Sequence, residues 1–373
     1  MDPGKSRAAA DMAAFAARSI APRREALAQP GPFPRDLWTE LGKAGLLGIA
    51  VPVHFGGLGG SDRDLVLAGE ALARRGGNLG LASSWLGHSL VSRFFLGRFA
   101  VPALQARWLP RIARGEATLA VAISEPGAGA HPKHLKSSAQ RIAGGWRLQG
   151  EKAYVTNGPI AAAFIVLAVS AVAQGRKRFS AFLVPRETPG LALVPGPEVD
   201  FLRPSPHCGL RLDGCTVPED ALIGGEGNAF ETMSIPFRDV EDALGTGKTV
   251  GALRHLLDRA ALAATGLTDE ARGAGGAELG ALAGLAAALA EVALSMPDAL
   301  ARNTVEAPLV GFRLMVQAAL ERLGTLPQHL GFAWSPADAA LLRDLAKSLD
   351  IAKGPRLIKQ TRLGLSLLET IPA

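Results

Sequence analysis

Residues 117–158, ATLAVAISEPGAGAHPKHLKSSAQRIAGGWRLQGEKAYVTNG, decide how the rest of the chain is read. Residues 118–124 alternate loosely between apolar and small side chains, which suits a half-buried strand. Glu125-Pro126-Gly127-Ala128-Gly129-Ala130 then breaks that strand and exposes backbone N–H groups. Residues 138–142 and 146–156 read as two strands joined by Ala143-Gly144-Gly145, whose paired glycines permit the positive φ angles of a tight hairpin. The second strand closes on Tyr154-Val155-Thr156-Asn157-Gly158.

Outward from this centre the periodicity changes. Towards the N-terminus, residues 36–47, 62–75 and 80–99 carry apolar side chains at helical spacing, interrupted by the turn-rich Val51-Pro52-Val53-His54-Phe55-Gly56-Gly57-Leu58-Gly59-Gly60. Beyond the hairpin, residues 164–172, 179–184, 191–194 and 210–217 are strand-like and separated by Gly, Pro and charged turns. From about residue 243 the chain is rich in Ala and Leu and again helical, over 250–264, 279–294, 304–323, 337–349 and 356–368. Ser335-Pro336-Ala337-Asp338 supplies a hydroxyl cap, a proline in the first turn and an acidic residue three after the serine. The expected class is therefore α+β in three parts: an N-terminal helical domain over 1–116, a β domain over 117–232 and a C-terminal helical domain over 233–373.

A chain of 373 residues can bury several cores. It is 48% hydrophobic, mostly through Ala, Leu and Val, with 44 Gly besides, which fits tight helix packing or a buried subunit interface. No uninterrupted apolar run reaches the length of a membrane span, and the first 25 residues lack the continuous apolar core of a secretory signal. The net charge of +6 comes from scattered basic residues with one Tyr in the chain, a pattern of a solvated basic surface rather than a nucleic-acid footprint. Cys208 and Cys215 suit reduced thiols and a cytoplasmic setting better than a disulfide framework. His131 and His134 flank Pro132 and Lys133, which spoils helical ligand spacing, so no metal is expected.

Two motifs in the central stretch, Ser124-Glu125-Pro126-Gly127-Ala128-Gly129-Ala130-His131 and Lys152-Ala153-Tyr154-Val155-Thr156-Asn157-Gly158, resemble the (T/S)EPxAGSD and K-x-(W/Y)-(I/V)-(T/S)-N-(G/A) motifs of the flavin-dependent acyl-CoA dehydrogenase family. The turn at 52–60 resembles that family's PExYGGxG loop, and Leu109-Pro110-Arg111-Ile112-Ala113-Arg114-Gly115-Glu116 its LPxLxxGE helix end. Residues 209–227 resemble the exit from its middle domain. The resemblance implies an acyl-CoA dehydrogenase-like fold, with a middle β-barrel or sandwich and a C-terminal helical bundle. It also implies FAD, an acyl-CoA substrate, electron-transfer flavoprotein as electron acceptor, and a homodimer or homotetramer.

By the same resemblance Ile123 and Ser124 match positions that bond the flavin ring, Tyr154 the aromatic residue stacked on it and Thr156 the hydroxyl near its N5. Gly129 and Ala130 match positions near the thioester arm, with Ala130 standing where the family has Ser. The C-terminal motifs are eroded. Arg272-Gly273-Ala274-Gly275-Gly276 keeps the Arg of R-x-x-F-G without its aromatic residue, and Thr325-Leu326-Pro327-Gln328-His329-Leu330-Gly331-Phe332 replaces the glycines of Q-x-x-G-G-x-G-(Y/F) with bulkier residues. The base Glu of the family's last-helix motif falls on Ala352 or Lys353, after Arg343-Asp344. Some relatives carry the Glu near the start of the first C-terminal helix, which points to Glu241, beside Asp242, as the base. The competing reading is a catalytically degenerate member that serves as a binding or structural subunit, in a hetero-oligomer with an active paralogue.

Overall fold

A computed structural model describes residues 6–265 and 269–370, with the side chains of residues 269–272, 274 and 370 left aside. Seven helices come first: α1 (Arg7–Phe15), α2 (Arg24–Leu27), α3 (Arg35–Lys43), α4 (Asp62–Gly76), α5 (Leu79–Leu90), α6 (Gly97–Phe99) and α7 (Pro102–Ala113). Ser61 starts α4 with a capping box: its hydroxyl accepts from the Asp64 N–H while the Asp64 carboxylate accepts from the Ser61 N–H, satisfying two otherwise orphaned donors. The helix expected over 36–47 ends early, at Lys43, because Gly45 adopts φ +73° and a short 3₁₀ turn follows. The span expected over 80–99 is continuous but loosens into a π turn at Val91–Leu96.

Eight strands follow: β1 (Leu119–Ala122), β2 (Ser138–Ile142), β3 (Gly145–Thr156), β4 (Ala163–Ala173), β5 (Arg176–Pro185), β6 (Leu191–Val194), β7 (His207–Pro218) and β8 (Leu222–Ile223). They form one sheet in the order β6-β7-β3-β2-β4-β5-β8, with β1 parallel to β4. In β4, Phe164, Val166 and Ala168 enter a core enclosed by the sheet itself, while Ala163, Ile165 and Leu167 face the helical core. Burial on both faces is why this strand reads as an unbroken apolar run. A sheet that wraps a core of its own, around Trp146, Leu148, Phe182 and Leu210, is the barrel-like middle layer expected from the sequence.

Six helices complete the chain: α8 (Ile235–Leu244), α9 (Thr246–Ala264), α10 (Asp269–Ala301), α11 (Glu306–Leu330), α12 (Pro336–Asp350) and α13 (Lys353–Thr370). Helices α10 and α11 outrun their expected spans. Pro327 lies within the last turn of α11 and stops nothing, and the helix ends where Gly331 takes φ +64°. Ser335 caps α12 by accepting from the Asp338 N–H, as its sequence suggests. Within α10, Gly275–Ala301 is long and apolar enough in composition to cross a membrane, a property that a count of uninterrupted apolar residues does not reveal. It packs against α9 and α11, with Leu282, Leu289 and Met296 buried.

Candidate functional site

The two central motifs meet at the open end of β1. Ile123 and Ser124 follow that strand and are half-buried, and the Ala153 N–H donates to the Ser124 carbonyl at 2.9 Å, which sets them beside β3. Behind this edge lies an ion pair with no solvent access to the ammonium. Lys152 Nζ donates to Glu125 Oε1 at 2.8 Å and to the Ile123 carbonyl at 3.2 Å. The same carboxylate accepts the Lys136 N–H at 2.6 Å and the Ser137 N–H at 2.9 Å. Burial works to raise the Glu125 pKa, but Lys152 and these donors win and hold the carboxyl below its usual range. Burial lowers the pKa of Lys152, and the carboxylate opposes it. Three donor contacts to one buried carboxylate are what keep such a pair from being a liability.

On the exposed side of β3, an irregularity in its pairing with β7 between Lys152 and Val155 puts Tyr154 at φ +57° with half its surface open. A bulky residue held left-handed is strained, and strain of this kind clusters at ligand sites. Thr156 is half-buried two residues on. Asn157, at φ +62°, donates from its side chain to the Ser84 carbonyl of α5 at 2.9 Å and from its N–H to the Pro206 carbonyl at 2.8 Å. Gly158 is required by space: a Cβ there would lie 2.3 Å from Cys208 Sγ. The turn beyond Ser124 closes through Glu125 N–H to Gly129 O, 2.9 Å, leaving Gly129 exposed at φ +54° and Ala130 half-buried. Ile123, Ser124, Tyr154 and Thr156 therefore share one open edge, with the Gly129-Ala130 turn on the same loop. An exposed aromatic face beside accessible backbone and hydroxyl groups fits a flat, hydrogen-bonding ring such as that of FAD.

The base candidates separate clearly. Lys353 is 80% exposed at the start of α13 and 3.7 Å from Asp350, and Ala352 precedes it at φ +55°. Lys353 is thus a solvated helix-end charge. Glu241, on α8, has an accessible side chain, yet burial among surrounding protein and the neighbouring Asp242 push its carboxyl above the usual range. Asp242 is committed elsewhere, to Arg313 at 2.7 Å and Arg356 at 2.8 Å, and Asp239 to Lys359 of α13.

Glu241, Gly245 and Lys248 lie at i, i+4 and i+7, and a Cβ on Gly245 would sit 3.7 Å from Lys248 Cε and 2.7 Å from the Glu241 carbonyl. The Lys248 stem therefore runs back over Gly245 towards Glu241, in a place where burial lowers its pKa and Glu241 opposes that. Lys248 was missed in the sequence, although its helical spacing from Glu241 was visible there. One turn before Glu241, Phe237 packs at a tilt against Phe95, centroids 4.7 Å apart, and Phe94, 5.5 Å, and the Val91–Leu96 turn that carries them also touches β1. That aromatic cluster connects α8, through the Val91–Leu96 turn, to β1.

The two eroded dinucleotide motifs also come together. Gly275, Gly276 and Leu330 line an apolar cavity of about 250 Å³ with Ala261, Ala264 and Leu279. The Arg272 side chain, expected to hold the cofactor, lies outside the described residues.

Comparison with known proteins agrees with this architecture. The N-terminal domain of acyl-CoA dehydrogenases matches residues 5–116 and the acyl-CoA dehydrogenase middle domain matches residues 120–215. The chain belongs to the acyl-CoA dehydrogenase family. It is 32% identical over 246 residues to the mitochondrial isovaleryl-CoA dehydrogenase of Oryza sativa subsp. japonica, covering 65% of this chain and 59% of that protein. It is likewise 32% identical over 249 residues to an acyl-CoA dehydrogenase of Bacillus subtilis (strain 168), covering 66% and 65%. The match spans about three fifths of the length of the plant relatives. In three dimensions the chain resembles butyryl-CoA dehydrogenase from Megasphaera elsdenii, with a TM-score of 0.85 at 20% identity over 99% of this chain and 100% of that one. It also resembles the FAD complex of PigA, with a TM-score of 0.81 at 23% identity over 98% and 100%.

Proposed function

We propose that this chain is an FAD-dependent acyl-CoA dehydrogenase-like oxidoreductase that desaturates an acyl thioester between Cα and Cβ, with Glu241 as the base. The observation that carries this reading is the Glu241 carboxyl: accessible, without a hydrogen bond or ion pair to another described residue, and raised in pKa by burial and by Asp242. A carboxylate with a raised pKa is a better match for abstracting a weakly acidic α-proton. Ile123, Ser124, Tyr154 and Thr156 are the residues that would hold the ring. FAD, when bound, supplies the hydride acceptor for the β-hydrogen that no side chain provides. Glu241 Oε takes the α-proton, and Lys248 steadies the carboxylate before that transfer. Gly129 and Ala130 give the thioester arm room to pass along the loop. Electron-transfer flavoprotein as acceptor and a homo-oligomeric assembly belong to the same proposal. A reducing, cytoplasmic setting is supported by Cys208 and Cys215, both buried and free.

The test is direct. The purified chain should carry a flavin spectrum, and an anaerobic panel of acyl-CoA thioesters, isovaleryl-CoA among them, should bleach it. Glu241→Gln should keep the colour and abolish the bleaching. Colourless protein after incubation with FAD would refute the oxidoreductase reading, and undiminished turnover in the variant would remove Glu241 as the base.

A further inference from the structure

The carbonyl of Ile123 and the N–H of Ser124 belong to a single peptide group, and the Ile123 carbonyl is held by the one buried ammonium of the sheet edge, Lys152, at 3.2 Å. Glu125 spends its oxygens on Lys152, at 2.8 Å, and on the N–H groups of Lys136 and Ser137. The pair thus presents its positive end to the peptide bond that flanks the open edge. A charged donor on a peptide oxygen draws electron density through the amide and makes the N–H on the opposite side a stronger donor, as in any chain of hydrogen bonds in a low-dielectric setting. Nothing in the reaction chemistry uses Lys152 directly, because its Nζ has no solvent access.

We infer that Lys152 is a positioning residue for the ring-binding edge: by holding and polarising the peptide between Ile123 and Ser124, it strengthens the Ser124 N–H as a donor to the flavin edge on which negative charge collects when the ring is reduced. The inference rests on the flavin reading above and deepens it. Glu125 supports the role by keeping Lys152 charged and aimed, and by tying the loop that carries Gly129 and Ala130 to the same anchor. Cofactor edge and thioester loop are therefore set by one buried ion pair.

The experiment compares the parent with Lys152→Met/Glu125→Gln, which removes both charges while the Gln oxygen still accepts from one of the Lys136 and Ser137 N–H groups, and with Lys152→Arg, which keeps a cationic donor. The readouts are the midpoint potential of the bound flavin, measured by equilibrium dye titration, and the affinity of the apoprotein for FAD. The double variant should bind FAD about tenfold more weakly, the scale of one charge-assisted hydrogen bond. Its potential should move to more negative values, and Lys152→Arg should lie close to the parent. A double variant whose bound flavin keeps the parental potential overturns the inference, even if its thermal midpoint falls, since a purely structural pair would lower stability alone. If the double variant retains no flavin, Glu125→Asp decides. It keeps both charges but draws the ammonium away from Ile123, so it should shift the potential in the same direction, and an unshifted potential overturns the inference. A parent that binds no flavin at all would instead sink the oxidoreductase reading, which separates the two failures.

Discussion

Replacing Asp344 by Asn should stabilise this protein above neutral pH. Asp344 lies on α12 with 5% of its surface exposed. Its carboxyl is pushed up from 3.8 to about 6, chiefly by burial, against the pull of Arg343 and the Leu202 N–H. The Arg343 contact is long, 3.5 Å, and Arg343 is itself half exposed, so the charge is poorly compensated. A carboxyl that binds its proton more tightly folded than unfolded favours the native state while protonated. Stability is therefore lost as pH rises from about 4 to above 6. The distance between 3.8 and about 6 corresponds to about 3 kcal/mol at ~1.4 kcal/mol per pH unit. Asn removes the ionisation at the cost of weaker bonds to Arg343 and Leu202, about 1 kcal/mol. The variant should then be about 2 kcal/mol more stable at pH 8 and close to the parent at pH 5. Urea denaturation at the two pH values, followed by tryptophan fluorescence, measures it. A difference between variant and parent that is the same at both values would refute the reasoning, because it would mean that Asp344 does not titrate between them.

Other expectations concern the site. With Glu241 as the proposed base, turnover would need it ionised and kcat/KM should rise with pH through its raised pKa. Lys248→Met removes a cation that lowers that pKa and should move the acidic limb to higher pH; an unmoved limb would show that Lys248 does not face the base. Tyr154→Gly relieves the positive φ while deleting the aromatic face, so FAD affinity should fall without loss of thermal stability, and a parallel loss of both would mark Tyr154 as a packing residue. Gly158→Ala sets a methyl 2.3 Å from Cys208 Sγ and 3.2 Å from Val155 Cγ1, costing about 1–3 kcal/mol by overpacking. Adding Cys208→Ala should restore much of that loss in thermal denaturation, and no recovery would place the strain elsewhere.

Much of this molecule was legible in the chain because its signals are local. Alternation and paired glycines marked the β2–β3 hairpin, helical spacing marked the flanking bundles, and Ser335 with Asp338 marked the start of α12, each a consequence of backbone geometry within a few residues. Boundaries were less legible: the helix expected to end at residue 323 runs on through Pro327 to Leu330. The ring edge was half visible. Ile123, Ser124, Tyr154 and Thr156 could be named, but their meeting depends on the bond from Ala153 to Ser124, made between segments 29 residues apart. The sequence already pointed to Glu241 rather than Lys353, and the folded chain added what the sequence does not carry, the exposure of Lys353 and the neighbours that raise the Glu241 pKa. The same holds for Lys152, an ordinary basic residue by sequence, whose buried ammonium meets Ile123 and Glu125 only in the folded chain. Short-range geometry is encoded residue by residue; the pKa of a carboxylate or the reach of an ammonium depends on what distant segments place beside it.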